Sequence, residues 1–424
     1  MFEKTVFSNG VRLVKIPFKD TRAITVLFLF GVGSRFEFKQ INGASHFIEH
    51  LMFKGTKKRP TTLDISKELD RVGAEFNAMT SKDYTGFYVK ISREHQDLAV
   101  DILADILLNS KFENTEIKRE RGVIIEEINM YHDNPLMYID NLLEQVIFVG
   151  NSLAWDISGP VSVIKKISRK QLIDFRDTVY RPDNVIVAVS GKVSDELIKI
   201  VKSKYIDKLK KNKIKSSAGF KQFKINQNEP RIKLQYRKTK QVQLALGFPA
   251  GGYDDPDAYA LHLLSIILGG NMSSRLFISV RERRGLCYFV RCYPNFYQEV
   301  SSFVVQSGLD ITRLEEALGV IQQELRKIKN KGVTDRELHD ATEFIRGKIV
   351  LNLEDSSNLA EYYAKQELLV GKILTPEQKM KKYEAVTVSD IQRVARKVFV
   401  REKFNLALIG PVKSKKKLFK QINI

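Results

Sequence analysis

The run His46-Phe47-Ile48-Glu49-His50 constrains this chain most tightly, because it sets three polar groups in a segment that is otherwise apolar (Phe47, Ile48, Leu51, Met52, Phe53). Residues four apart on an α-helix stand one above the other, so a helix here projects His46 and His50 from one face, with Glu49 on its edge. Burying three such groups among Phe, Ile and Leu is costly unless something pairs with them. Two imidazoles at this spacing can hold one zinc ion, and the adjacent carboxylate can act on an activated water without ligating the metal. The order inverts the His-Glu-x-x-His zinc pattern. The alternative, two hydrogen-bonded core histidines around a solvated Glu, requires the fold to supply every partner.

A third ligand has a candidate source in KRERGVIIEEINMYHD, residues 118 to 133, within a helix expected over 115–131. Glu120 and Glu127 are seven apart, two helical turns, and point the same way, whereas Glu126 is rotated about 100° from them. Laid beside the first helix, this one can present Glu127 to a metal with Glu120 behind it. An acidic face turned to solvent fits the same pattern, and the spacing alone leaves the two readings open.

With 424 residues the chain has room for two full-sized domains, and its 43% hydrophobic and 28% charged residues are ordinary for a globular protein. MFEKTVFSNGVRLVKIPF has no apolar core of a signal peptide, and no run is long enough to cross a bilayer. Cys287 and Cys292 show no metal-type spacing and are expected to be free thiols. A cytoplasmic location is expected. The net charge of +20 is spread along the chain, with concentrations at 208–215 and 413–420, and carries no aromatic-interleaved basic motif. Nucleic acid is therefore not expected as a partner, nor is a membrane span.

In order, the chain predicts a hairpin over 4–17 turning at Ser8-Asn9-Gly10, then a doubly covered strand over 23–32 and the His46 helix. A helix over 61–72 with Thr62 as its cap follows, then two strands over 75–79 and 84–91. After helices over 96–108, 115–131 and 135–149 come a helix over 168–179, a buried strand over 184–190 and a helix from Ser194 to about Leu209. The Lys-, Ser- and Asn-rich stretch 210–230 reads as a linker between a domain at 1–209 and another at 231–424. Beyond it the programme restarts, with strands over 243–248 and 302–307 and a helix over 257–268. Ser168/Ser389, Gln171/Gln392, Val179/Val400 and Asn184/Asn405 then align at an offset of 221, a weak internal duplication. The expected fold is α+β: two homologous domains, each a mixed, largely antiparallel β-sheet packed with helices. The second has no counterpart of the metal pattern, its matching helix holding only His262.

Gly33-Ser34-Arg35, GASHFIEHLMFKGT, EFNAMTSKDYT, ERGVIIEEINMY, RPDN, LGGNMSSRLF and RERRGLCY together resemble the pitrilysin/insulinase metallopeptidases (inverzincins). The nearest likeness is to their short bacterial branch, similar to the mitochondrial processing peptidase, and it covers nearly the whole chain. The resemblance implies a zinc-dependent endopeptidase with one Zn²⁺ per chain on His46, His50 and Glu127, since residues 51 to 126 fill the family's gap between the second His and the ligand Glu. It implies Glu49 as general base and Glu120 as support behind the ligands. Asn77 and Ala78 fall on the strand that pairs with an extended substrate, and Phe47 on a pocket beyond the scissile bond. Arg281 and Tyr288 match a substrate-contacting pair in which Tyr stabilises the tetrahedral oxygen; alone, Arg281 to Arg284 reads as a solvated basic face. Peptides or unfolded segments are the implied substrates, in a clamshell of two chains. Because one chain carries every feature, a homodimer is implied. A non-catalytic structural subunit of the same family is the alternative, although such subunits usually lack an intact ligand set.

Overall fold

Ser8-Asn9-Gly10 turns the chain between β1 (Glu3–Val6) and β2 (Arg12–Pro17), as the alternating runs on either side predict. Gly10 takes φ +101°, which a side chain would strain. The computed structural model describes residues 2–18, 20–210 and 219–424. Most of the basic run at 208–215 and residues 211–218 of the expected linker therefore lie outside the described residues.

β3 (Ala23–Phe30) is buried at every position after Ala23, as its unbroken apolar run requires. Ile24, Val26, Phe28 and Phe30 enter the main core of the first half, while Leu27 and Leu29 pack with Ala360, Tyr363 and Ala364 of the helix Ser356–Leu369. With β4 (Glu75–Thr80), β5 (Thr85–Ser92) and β6 (Val185–Gly191) the first sheet has the order β1-β2-β6-β3-β5-β4, in which β2 and β6 run parallel and the other pairs antiparallel. β4 is an edge strand.

The second sheet contains β7 (Arg231–Tyr236), β8 (Gln241–Gly251), β9 (Cys287–Phe296), β10 (Val300–Asp310) and β11 (Asn405–Gly410). Its order, β7-β11-β8-β10-β9, repeats β2-β6-β3-β5-β4, again with one parallel pair, β7 with β11. The duplication is thus real, but its register differs from the expected offset of 221. Ser168 and Thr387 cap the helices Arg169–Val179 and Val388–Val398, each through a capping box. Those helices exit at Tyr180 and Phe399, and β6 and β11 end on Gly191 and Gly410, both at positive φ. Each of these pairs is 219 apart. Similarly Thr61, rather than Thr62, caps the helix Thr62–Asp70.

Two compact units result. The first holds residues 1–128, 155–220 and 349–375; the second holds 129–154, 221–348 and 376–424. Each sheet is therefore covered by a helix from the other half of the sequence: Ser356–Leu369 in the first unit and Pro135–Ile147 in the second. Cys287 and Cys292 are free, as expected. Among the described residues no helix is long and apolar enough to cross a membrane.

In the first unit the loop after β3 is clasped to the β4–β5 turn. Ser34 and Arg35 donate backbone N–H bonds to Ser81 and Lys82 carbonyls at 3.1 and 3.2 Å. The Arg35 guanidinium meets Asp83 at 2.8 Å, both side chains almost wholly enclosed, and lies 3.6 Å over the Phe220 ring. Removing one member of such a buried pair takes away the opposite charge that compensates the other. Arg35→Ala is expected to cost about 3–5 kcal/mol, measured by urea unfolding, whereas Arg35→Met with Asp83→Leu should recover most of it. A near-wild-type Arg35→Ala would show that the pair does not hold the clasp.

Candidate active site

The His46 segment folds as α1 (Ala44–Met52), which begins on Gly43 at φ +100° and has no side-chain cap of its own at that position. The first N–H groups of a helix need acceptors. Glu37, on the preceding loop, provides them: its carboxylate accepts from Gly43 N at 2.7 Å, Ser45 N at 2.7 Å and Asn42 Nδ2 at 2.9 Å. Burial pushes the Glu37 carboxyl up to about 7, against the downward pull of these donors.

α1 then places its imidazoles as the spacing requires. The Nε2 atoms of His46 and His50 are 3.3 Å apart. Taking the helix Thr62–Asp70 as α2 and Gln96–Asn109 as α3, the next helix is α4 (Asn114–Asp133), and it delivers Glu127. Its Oε2 lies 3.5 Å from each of those nitrogens. Glu126 is exposed, as its rotation on the helix predicts.

Glu120, two turns earlier on α4, is buried and meets His50 Nδ1 at 3.1 Å and Lys54 Nζ at 2.9 Å. A carboxylate there fixes the His50 proton on Nδ1 and leaves Nε2 facing Glu127 and His46. Burial lowers the His46 pKa to about 4, helped by repulsion from His50. His50 moves the other way, to about 9, because hydrogen bonds to Glu120 and Glu127 outweigh its burial. The Glu127 carboxyl is lowered, chiefly by its hydrogen bond with His50.

These three side chains fit a zinc ion. Two imidazole nitrogens and a carboxylate oxygen, each able to offer a lone pair to a cation, converge at 3.3–3.5 Å. That spacing is what neighbouring ligand atoms would have at Zn–N and Zn–O lengths of about 2.0–2.2 Å. Glu49 stays out of this triangle. Its Oε2 accepts a hydrogen bond from the Thr80 hydroxyl at the end of β4, and burial raises its carboxyl.

The other sequence-derived residues divide. Asn77 is exposed and Ala78 half-buried on the edge strand β4. Phe47 is fully enclosed in the core of the first unit, so its ring presents no surface to a ligand here. Arg281 and Tyr288 belong to the second unit, where the guanidinium lies 5.5 Å from the Tyr288 ring centroid and Tyr288 is 78% exposed. Glu37, Lys54 and Thr80 were not singled out by sequence. Lys54 stands four residues after His50, a spacing that could have pointed to it; Glu37 and Thr80 carry no such signal.

The sequence pattern described as Insulinase (Peptidase family M16) matches residues 13–161, which contain the whole His/Glu cluster, and that of the Peptidase M16 inactive domain matches 166–343. A Bacillus subtilis protein named as an uncharacterized zinc protease, YmxG, is 34% identical over 411 residues, covering 97% of this chain and 98% of its own. The chain belongs to peptidase family M16. The beta subunit of the human mitochondrial-processing peptidase is 30% identical over 419 residues, with 96% of this chain and 84% of that one covered. Among solved structures of the fold, a protease from Helicobacter pylori superposes with TM-score 0.90 at 25% identity, over 97% of this chain and 99% of that one. The M16 fold of two homologous domains is thus shared across the whole length.

For Glu37 the pH dependence has a definite sign. Between about 4.5 and 7 the folded protein keeps a proton on Glu37 that the unfolded chain has lost. The stabilisation is present below 4.5 and is lost as pH rises through 7. Urea unfolding should therefore show the advantage of wild type over Glu37→Gln shrinking by about 3 kcal/mol across that window. A pH-independent difference would contradict the assignment.

Proposed function

We propose that this M16 chain is a zinc-dependent endopeptidase acting on peptides or unfolded polypeptide segments. The observation that carries the reading is the convergence of His46, His50 and Glu127, with Glu49 beside them but outside the triangle. The relatives named zinc proteases support it. In this reading the first half, 1–209, is catalytic, 210–230 is a linker and 231–424 is a homologous domain without metal.

His46, His50 and Glu127 hold the metal, and Glu120 with Lys54 fixes the His50 tautomer. When bound, Zn²⁺ supplies Lewis acidity, lowering the pKa of a water to about 7 and polarising a carbonyl. Glu49 takes the proton of the attacking water on Oε1, the oxygen that Thr80 does not engage, and passes it to the leaving amine nitrogen. Its half-buried carboxyl, raised by partial desolvation, suits both halves of that task. The edge of β4 at Asn77 and Ala78 receives the substrate backbone as an added strand. Tyr288, exposed beside Arg281, donates its hydroxyl to the developing oxyanion. A homodimer in the cytoplasm, each chain contributing both sets of residues, completes the proposal.

Cleavage of a mixed peptide pool, followed by mass spectrometry with and without a zinc chelator, tests it. Wild-type protein should cut and the chelated protein should not. Glu49→Gln should keep one zinc per chain yet lose about 10²–10⁴ in rate; normal hydrolysis by that variant would remove Glu49 as the base. His46→Ala should lose the metal as well as the activity. Tyr288→Phe should retain zinc while kcat falls about 10²-fold, as for loss of one oxyanion donor; unchanged kcat would sink its role.

A further inference from the structure

Glu49 is half-buried on the edge of α1, and its side chain has three rotatable bonds. A general base must hold one position to within a fraction of an ångström, because small misplacements of a reacting group cost large factors in rate. α1 cannot supply that hold alone. The hydroxyl of Thr80 does reach the carboxylate, donating to Oε2.

Thr80 is itself rigidly mounted. It is the last residue of β4, paired with Thr85 of β5, and the turn after it is fixed at three points. Ser81 N donates to Tyr84 O at 2.8 Å, while Ser81 O and Lys82 O accept from Ser34 and Arg35. The buried Arg35–Asp83 pair, at 2.8 Å, closes the same turn. Thr80 also shares the face of β4 with Ala78, two residues before it. The strand proposed to receive substrate and the hydroxyl that meets the base are therefore one piece of backbone.

We propose that Thr80 is a positioning residue for the peptidase reaction: its hydroxyl fixes the Glu49 carboxylate by Oε2 so that Oε1 faces the attacking water. This rests on the endopeptidase reading above. Oε2 is an acceptor both while Glu49 is ionised and once Oε1 carries the proton, so the Thr80 hydroxyl donates to it throughout and one contact serves both stages of the proton transfer.

The test uses the zinc-loaded full chain and a fluorogenic peptide built around the bond that wild type cleaves fastest in the peptide pool. Thr80→Val keeps the β-branched shape and removes the hydroxyl; Thr80→Ser keeps the hydroxyl. Thr80→Val should lower kcat about 10–10²-fold with KM, zinc content and melting temperature close to wild type. Thr80→Ser should restore kcat to within about threefold, and Thr80→Val should add nothing in a Glu49→Gln background. Wild-type kcat in Thr80→Val overturns the inference, as does an equal loss in Thr80→Ser or a loss that tracks zinc or folding. If instead Glu49→Gln itself cleaves like wild type, the endopeptidase reading has failed, whatever Thr80 does. If Glu49→Gln is inactive while Thr80→Val is fully active, only the role of Thr80 falls.

Discussion

The geometry of the site hangs on how α1 is started. A helix that begins on a left-handed glycine has no side chain at that position to meet its first N–H groups, yet this helix carries His46, Glu49 and His50 within two turns. The Glu37 carboxylate takes Gly43 N and Ser45 N together, one on each oxygen, from a loop six residues upstream. An anion or strong acceptor at this end also complements the helix dipole. Two residues before Glu37, Arg35 clasps the turn that follows β4. One short loop thus sets the helix that bears the ligands and the strand end that meets Glu49.

The duplicated sheets show how much of this is architecture and how much is chemistry. Both units use the same strand order with one parallel pair, and both bury a doubly covered central strand, β3 or β8. In the second unit the corresponding helix carries His262, whose Nδ1 meets the Tyr383 hydroxyl at 2.7 Å. Burial lowers that imidazole to about 4. A hydrogen-bonded histidine is what the apolar helix holds there, and among the described residues it joins no His/Cys/Asp/Glu cluster that could hold a metal. Only the first unit brings α4 alongside with Glu120 and Glu127.

Local patterns carried the sequence reading as far as they reach. The i, i+4 histidines, the seven-residue spacing of the glutamates, the hairpin at Asn9-Gly10 and the apolar run of β3 are all statements about neighbours along the chain, and the structure has each of them. The helical wheel sets Glu120 and Glu127 on one face and Glu126 off it, but the spacing leaves a solvated acidic face equally open, and it is the family resemblance that implies Glu127 as the ligand. Other features depend on distant partners. Thr80 reaches Glu49 across 31 residues, and the pairing of Arg35 with Asp83 spans 48. Nothing in the helix 135–147 or the helix 356–369 marks which sheet it will cover, because an apolar face fits either. The offset of 221 matches Ser168, Gln171, Val179 and Asn184 by identity with Ser389, Gln392, Val400 and Asn405; the capping boxes and strand-ending glycines, which answer to backbone geometry, give 219. Phe47, which the resemblance places on a pocket beyond the scissile bond, is wholly enclosed in this chain, because its ring fills the apolar face of α1.

The site's charges explain why its frame must be so firmly built. Three acceptor atoms within 3.3–3.5 Å repel one another unless a proton or a cation lies among them. Burial and repulsion from His50 lower the His46 imidazole, whereas hydrogen bonds to Glu120 and Glu127 raise that of His50. A cation binds only neutral imidazoles, so its affinity would depend on pH and on keeping the three atoms close despite their repulsion. A loose α1 or α4 would relax by moving them apart. Glu37 at the start of α1, and Glu120 with Lys54 where α4 passes His50, oppose that relaxation at both helices. Their burial costs stability, and what it secures is a set of donors already in place before a metal arrives.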